Sequence, residues 1–240
     1  DPIERVKADL RYRHIYGYRL VSVPSNYYNC SLDQRSNMLC CHKEQLCKSI
    51  VMENTSYIPP TNSGNTNTNE DFDIDIINSK YYCIILQYSS KLDEEKLNTL
   101  LQKIILNRNK TNNNKSKPIT MKKYHFRLVA SNINDELTGF SHNAVSPYGI
   151  NNNIGRNIPI ICSISCTLTD NFIQKEQKEH KESSKGNINK KYTSPCTYIY
   201  MGGGDVDVKL GLPIHDFIHS TKCVVGDISN PRDKDTDIEE

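Results

Sequence analysis

In "LCKSIVMEN" (46–54), Lys48 and the hydroxyl of Ser49 stand at the mouth of a run that is otherwise strand-like, Ile50, Val51 and Met52. A lysine at such a place commonly guards a strand end against edge pairing. A second candidate is "TGFSHNAVSPYGI" (138–150), where Pro147 removes a backbone donor and Gly149 invites a positive φ, so a stiff loop is expected rather than a helix or strand. Such a loop either aims main-chain N–H groups at a ligand or simply turns the chain, and His142 in it is either a base or an ordinary loop histidine. The third is "YMGGGDVDVKLG" (200–211), in which Gly202, Gly203 and Gly204 permit close approach to the main chain or form a bulge. No nucleoside-triphosphate or dinucleotide fingerprint follows them. Asp205 and Asp207 alternate along a strand expected to begin there, so they should share a face.

These stretches lie in a chain of 240 residues, of which 36% are hydrophobic and 24% charged, enough to bury a core. No run approaches the roughly 20 apolar residues a membrane-spanning helix needs, and "DPIERVKADLRYR" has no signal-peptide core. The expectation is a soluble cytoplasmic protein. Its nine cysteines form no C-x-x-C pair and sit mostly in apolar runs such as "YYCIILQY", which favours small buried hydrophobes in a reducing compartment over a metal site. Net charge is +2, but residues 227–240 hold six acids against two bases, which leaves a positive surplus on 1–226 suited to a polyanionic partner.

Three segments, 59–73, 107–118 and 174–191, are rich in Asn, Ser, Thr and Lys and read as insertions. Between them helix-like and strand-like pieces alternate. "ERVKADLRY" predicts a helix, "YRLVSV" a strand, and "SLDQRSNMLC" a helix with Ser31 as N-cap. "KSIVMEN" and "YYCIILQY" predict neighbouring strands, the second central because it is nearly all apolar. "DEEKLNTLLQKIIL" predicts an amphipathic helix presenting Leu97, Leu100, Leu101, Ile104 and Ile105. "KKYHFRLV", "IPIICSI", "CTYIYMG", "VDVKL" and "KCVVGDI" predict further strands, and "NINDELTGF" and "PIHDFIHS" two short helices. The fold class is α/β in the mixed, α+β sense: a central mixed, mostly antiparallel sheet or partial barrel with flanking helices. The expected partition is one domain over 1–228 with three insertions, and an acidic tail or linker over 229–240.

In order along the chain, "CKSIVMEN", "FRLVASNINDELTGFSHNAVSPYGI", "YIYMGGGDVDVKLGLPIHDFI" and "VVGDI" resemble the YbaK-like family of aminoacyl-tRNA editing domains, from about Tyr18 to Ile228. The resemblance implies hydrolysis of the ester of a mischarged tRNA, of the Ala- or Cys-tRNA(Pro) type. It implies a tRNA 3′ end as partner, prolyl-tRNA synthetase as a possible partner in cis or trans, and neither metal nor other cofactor. Lys48 with Ser49 matches the family's lysine and small hydroxyl residue, which would hold the terminal adenosine region by its phosphate or ester carbonyl. The loop from His142 and Asn143 through Ala144, Val145, Ser146 and Pro147 to Gly149 matches the loop whose backbone lines the aminoacyl pocket, with Asn143 where a glycine is usual. Gly202, Gly203 and Gly204 match the family's glycine pair, one residue short before Asp207, which would fix substrate or water. By the same likeness, amides at 149 and 202–204 would donate to the oxyanion, with the terminal ribose 2′-hydroxyl helping to position water. The rival readings are a non-catalytic tRNA-binding module of a synthetase or its complex, and a protein-interaction domain using the insertions.

Overall fold

The structure is a computed structural model describing residues 1–59, 76–111, 123–168 and 197–232. Helix α1 (Pro2–Tyr12) is started by the Asp1 carboxylate, which accepts from the Ile3 amide at 2.8 Å, and by Pro2 in its first turn; it buries Val6 and Leu10. After β1 (Arg19–Ser22) comes α2 (Leu32–Met38), whose Ser31 cap is reciprocated by Gln34. Strands β2 (Cys47–Asn54) and β3 (Tyr81–Gln87) pair antiparallel, followed by β4 (Ser90–Leu92) and α3 (Glu94–Thr111). The rest comprises β5 (Phe126–Leu128), α4 (Ser131–Thr138), α5 (Asn153–Arg156), β6 (Ile160–Ser163), β7 (Tyr198–Gly202), β8 (Val208–Pro213), α6 (Ile214–Thr221), β9 (Val224–Gly226) and β10 (Ser229–Pro231).

Five strands form a mixed sheet in the order β5-β2-β3-β6-β9, with β3 in the middle and β6 and β9 joined to it in parallel. Centrality explains why Tyr82 to Gln87 are all buried. A second, antiparallel sheet runs β1-β8-β7, and β4 pairs with β10. A parallel bridge between Leu46 and Tyr200 joins the two larger sheets without closing a barrel. One core lies between them around Ile85, Tyr148, Met201 and Leu210; another, around Leu86, Leu97 and Leu101, lies beneath α3. The mixed α/β fold class expected from the sequence is the one observed.

Three expectations need adjustment, and two lie mostly or wholly outside the described residues. Asp205 and Asp207 do not share a strand face, because 205–207 form a turn and β8 begins at Val208. The segment 107–118 is helical up to Thr111, since Ile105 buries and α3 carries on past it into polar residues; the remainder lies outside the described residues. The boundary at 228 falls too early, as Ser229–Pro231 pairs with β4 and Asn230 donates to Asp93 at 2.7 Å; 233–240 lie outside the described residues. Of 59–73 only Pro59 is described, and 174–191 lies wholly outside.

Candidate active site

A single parallel bridge joins Leu46 to Tyr200, two residues before Lys48 on β2 and two before Gly202 on β7. Strand alternation puts Lys48 on the face of Leu46 and Ile50, and Ser49 on the opposite face with Cys47 and Val51, towards the core between the sheets. Lys48 is half-buried and pairs across β3 with Leu86. The Ser49 hydroxyl is buried and has no hydrogen-bond partner among the described residues, a state that costs about 1–3 kcal/mol in an otherwise satisfied interior.

Gly202 in turn lies flat against the 138–150 loop. A Cβ there would meet the Val145 carbonyl oxygen at 2.3 Å, so no other residue fits without moving backbone. The Gly204 amide donates to Ala144 O at 3.1 Å, and the Gly203 amide to Val208 O at 3.0 Å. Gly202 and Ala144–Val145 are therefore in direct contact, and β2, which carries Lys48, meets β7 at the Leu46–Tyr200 bridge. Asp207 follows in the turn, its carbonyl accepting from the Val23 amide at 2.8 Å and its amide donating to Asp205 Oδ1 at 3.0 Å.

The loop is held from two sides. α4 ends at Gly139 in the left-handed region, and the chain takes a second left-handed step at Asn143, φ 66°, the tolerance expected of asparagine there. Ser146 and Pro147 are buried, and the Ser146 hydroxyl accepts from the Tyr148 amide at 3.2 Å; His142 is exposed. On one side, α1 clips the loop: Arg5 Nη2 donates to Gly139 O at 2.7 Å and its Nε to Gly149 O at 3.0 Å, while the Gly149 amide donates to Asp9 Oδ2 at 2.8 Å. On the other, the Tyr28 hydroxyl donates to Asn143 O at 2.7 Å.

One chemical expectation is corrected here. The amides of Gly149, Gly203 and Gly204 bond Asp9, Val208 and Ala144, so they do not serve as oxyanion donors in this arrangement. A cavity of about 60 Å³ is lined by Val51, Cys83, Val145, Ser146, Pro147 and Ile160 among others, and reaches none of Lys48, Ser49, Gly202–Gly204 or Asp207.

Residues that sequence reasoning missed surround Tyr28. Lys209, 4% exposed, lies over the rings of Tyr27 and Tyr28 with Nζ 5.1 and 4.5 Å from their centroids. Burial depresses its amine to about 8, against the pull of the Asp207 and Asp205 charges and with the push of Arg35. Arg35 stacks over Tyr27, Tyr28 and Tyr88. Cys47 and Cys166 are buried with sulfurs 3.8 Å apart, and the hydrogen bond between them and burial hold the Cys47 thiol up. Among the described residues no group of three or more His, Cys, Asp or Glu is placed to hold a metal, and no helix is long and apolar enough to cross a membrane.

No family model matches the chain, and no curated protein does. Among solved structures, one of a proposed trans-editing enzyme for prolyl-tRNA synthetase is similar over 95% of this chain and 97% of that one, with a TM-score of 0.58 and 14% identity. A scaffold protein used for grafting epitope backbones is similar to the same extent, TM-score 0.58, 13% identity, 95% of this chain and 97% of its own. A hypothetical protein matches at TM-score 0.53 and 14% identity over 94% and 99% of the two chains. At these identities the shared property is the fold.

Proposed function

We propose that the chain is an aminoacyl-tRNA deacylase that hydrolyses the ester of a mischarged tRNA, of the Ala- or Cys-tRNA(Pro) type. The observation that supports this reading is the packing of Gly202 against the Ala144–Val145 backbone, beside the strand that carries Lys48, in a fold shared with a proposed editing enzyme. Lys48 holds the terminal adenosine end by phosphate or ester carbonyl, and the 143–147 backbone walls the aminoacyl group. Asp207 orients substrate or water, and the tRNA 2′-hydroxyl helps position the water. An ester needs no strong nucleophile, so a held water and a fixed positive charge suffice. The substrate makes tRNA the partner, with prolyl-tRNA synthetase in cis or trans, and the cytoplasm the compartment.

The test is deacylation of Ala-tRNA(Pro) and Cys-tRNA(Pro) by the chain and its Lys48→Ala form. The expected result is turnover that falls by about 100-fold on substitution, the loss typical of a removed charge donor. Binding of tRNA with no turnover would replace this reading by the non-catalytic module, which the engagement of the Gly149, Gly203 and Gly204 amides favours as second choice.

A further inference from the structure

Lys209 is the second residue of β8, the middle strand of its sheet, and its amine is buried where an apolar side chain would cost less. Its Nζ donates to Val206 O at 2.7 Å and to the Tyr28 hydroxyl at 2.8 Å; that hydroxyl donates in turn to Asn143 O at 2.7 Å. Two hydrogen bonds thus connect a buried amine to the left-handed residue of the candidate pocket loop.

The direction of the relay follows from chemistry. A lysine ammonium has donors only, so Tyr28 must accept from it and turn its own hydrogen towards Asn143. An apolar residue at 209 would remove that donor and leave the hydroxyl to Asn143 and to the Tyr88 side chain, with which it also hydrogen-bonds. On the same wall the Gly204 amide donates to Ala144 O, one residue on from the carbonyl that Tyr28 holds. Site geometry has to hold to within about half an ångström to discriminate small groups, and it does so when supporting side chains are themselves locked. Tyr28 is locked by Lys209 below and by Arg35 stacked at 5.2 Å.

We propose that Lys209 is a positioning residue, acting through the Tyr28 hydroxyl to hold the Asn143 carbonyl and so the shape of the aminoacyl pocket. This rests on the reading of 143–147 as the pocket wall.

The test compares the full chain with Tyr28→Phe and Lys209→Met by hydrogen exchange over 141–150, and by the ratio of kcat/KM for Ala- and Cys-tRNA(Pro). Both variants are expected to exchange at least tenfold faster in that segment and to change the ratio at least fivefold, whereas Lys48→Ala slows both esters alike. Unchanged exchange in Tyr28→Phe overturns the proposal. That variant removes a single oxygen, so it decides alone if Lys209→Met does not fold. If the parent chain hydrolyses neither ester, faster exchange in the variants still supports the relay, and only the editing reading falls.

Discussion

The Gly149 amide donates to the Asp9 carboxylate at 2.8 Å, which ties the end of the pocket loop to the first helix. Asp9 also pairs with Arg13 at 2.8 Å, and Arg13 lies over the Tyr148 ring, so one carboxylate organises three residues. Asp9→Ala should cost about 2 kcal/mol, the usual worth of a hydrogen bond to a charged group. Urea denaturation should show a lower midpoint with an unchanged slope; an unchanged midpoint would mean that the tie carries no weight.

Gly202→Ala puts a methyl group 2.3 Å from the Val145 carbonyl oxygen, and backbone rather than a flexible side chain must give. The expected loss is about 2–3 kcal/mol by overpacking. The displaced wall should also abolish deacylation at temperatures where the variant remains folded. Circular dichroism and a turnover assay on the same sample separate the two effects.

Lys209 makes stability depend on pH in an unusual direction. Its amine titrates near 8 in the fold and at the ordinary 10.5 in the unfolded chain. Between these values the unfolded state carries the extra proton, so stability rises with pH there, and the gain is lost as pH falls to 8. The groups facing the amine are Tyr27, Tyr28, Arg35, Asp205 and Asp207. Relative to Lys209→Met, the parent chain should gain about 2 kcal/mol from pH 7.5 to 9.5. Taking the difference removes the opposite slope of the buried thiols, such as Cys83, which burial pushes up to about 12. Parallel curves for the two proteins would refute a buried, depressed amine.

What could be read in the sequence was what is local. Ser31 with Gln34, the apolar stripe of α3 and Gly139 after α4 are signals within a few residues of the structure they specify. Lys48 was legible as an oddity, but the meeting of its strand with that of Gly202 depends on one bridge, Leu46 to Tyr200, that no periodicity encodes. Lys209 was invisible for a different reason. In "VKLGL" it occupies the alternate register to Leu210 and Leu212, the pattern of a strand with one wet face, and only the Tyr27–Asn29 segment folding over that face makes it dry. The turn at 205–207 was mistaken for strand because Asp, Val and Asp alternate there as a strand would.

The clip between α1 and the pocket loop spans 144 residues of chain from Arg5 to Gly149 and 140 from Asp9. A contact so distant in sequence closes late, after local helices and hairpins have formed. During synthesis the first helix emerges early and waits for the residues it will hold. The 138–150 loop is therefore not a module that matures in advance of its surroundings; it reaches its final shape when the whole fold closes.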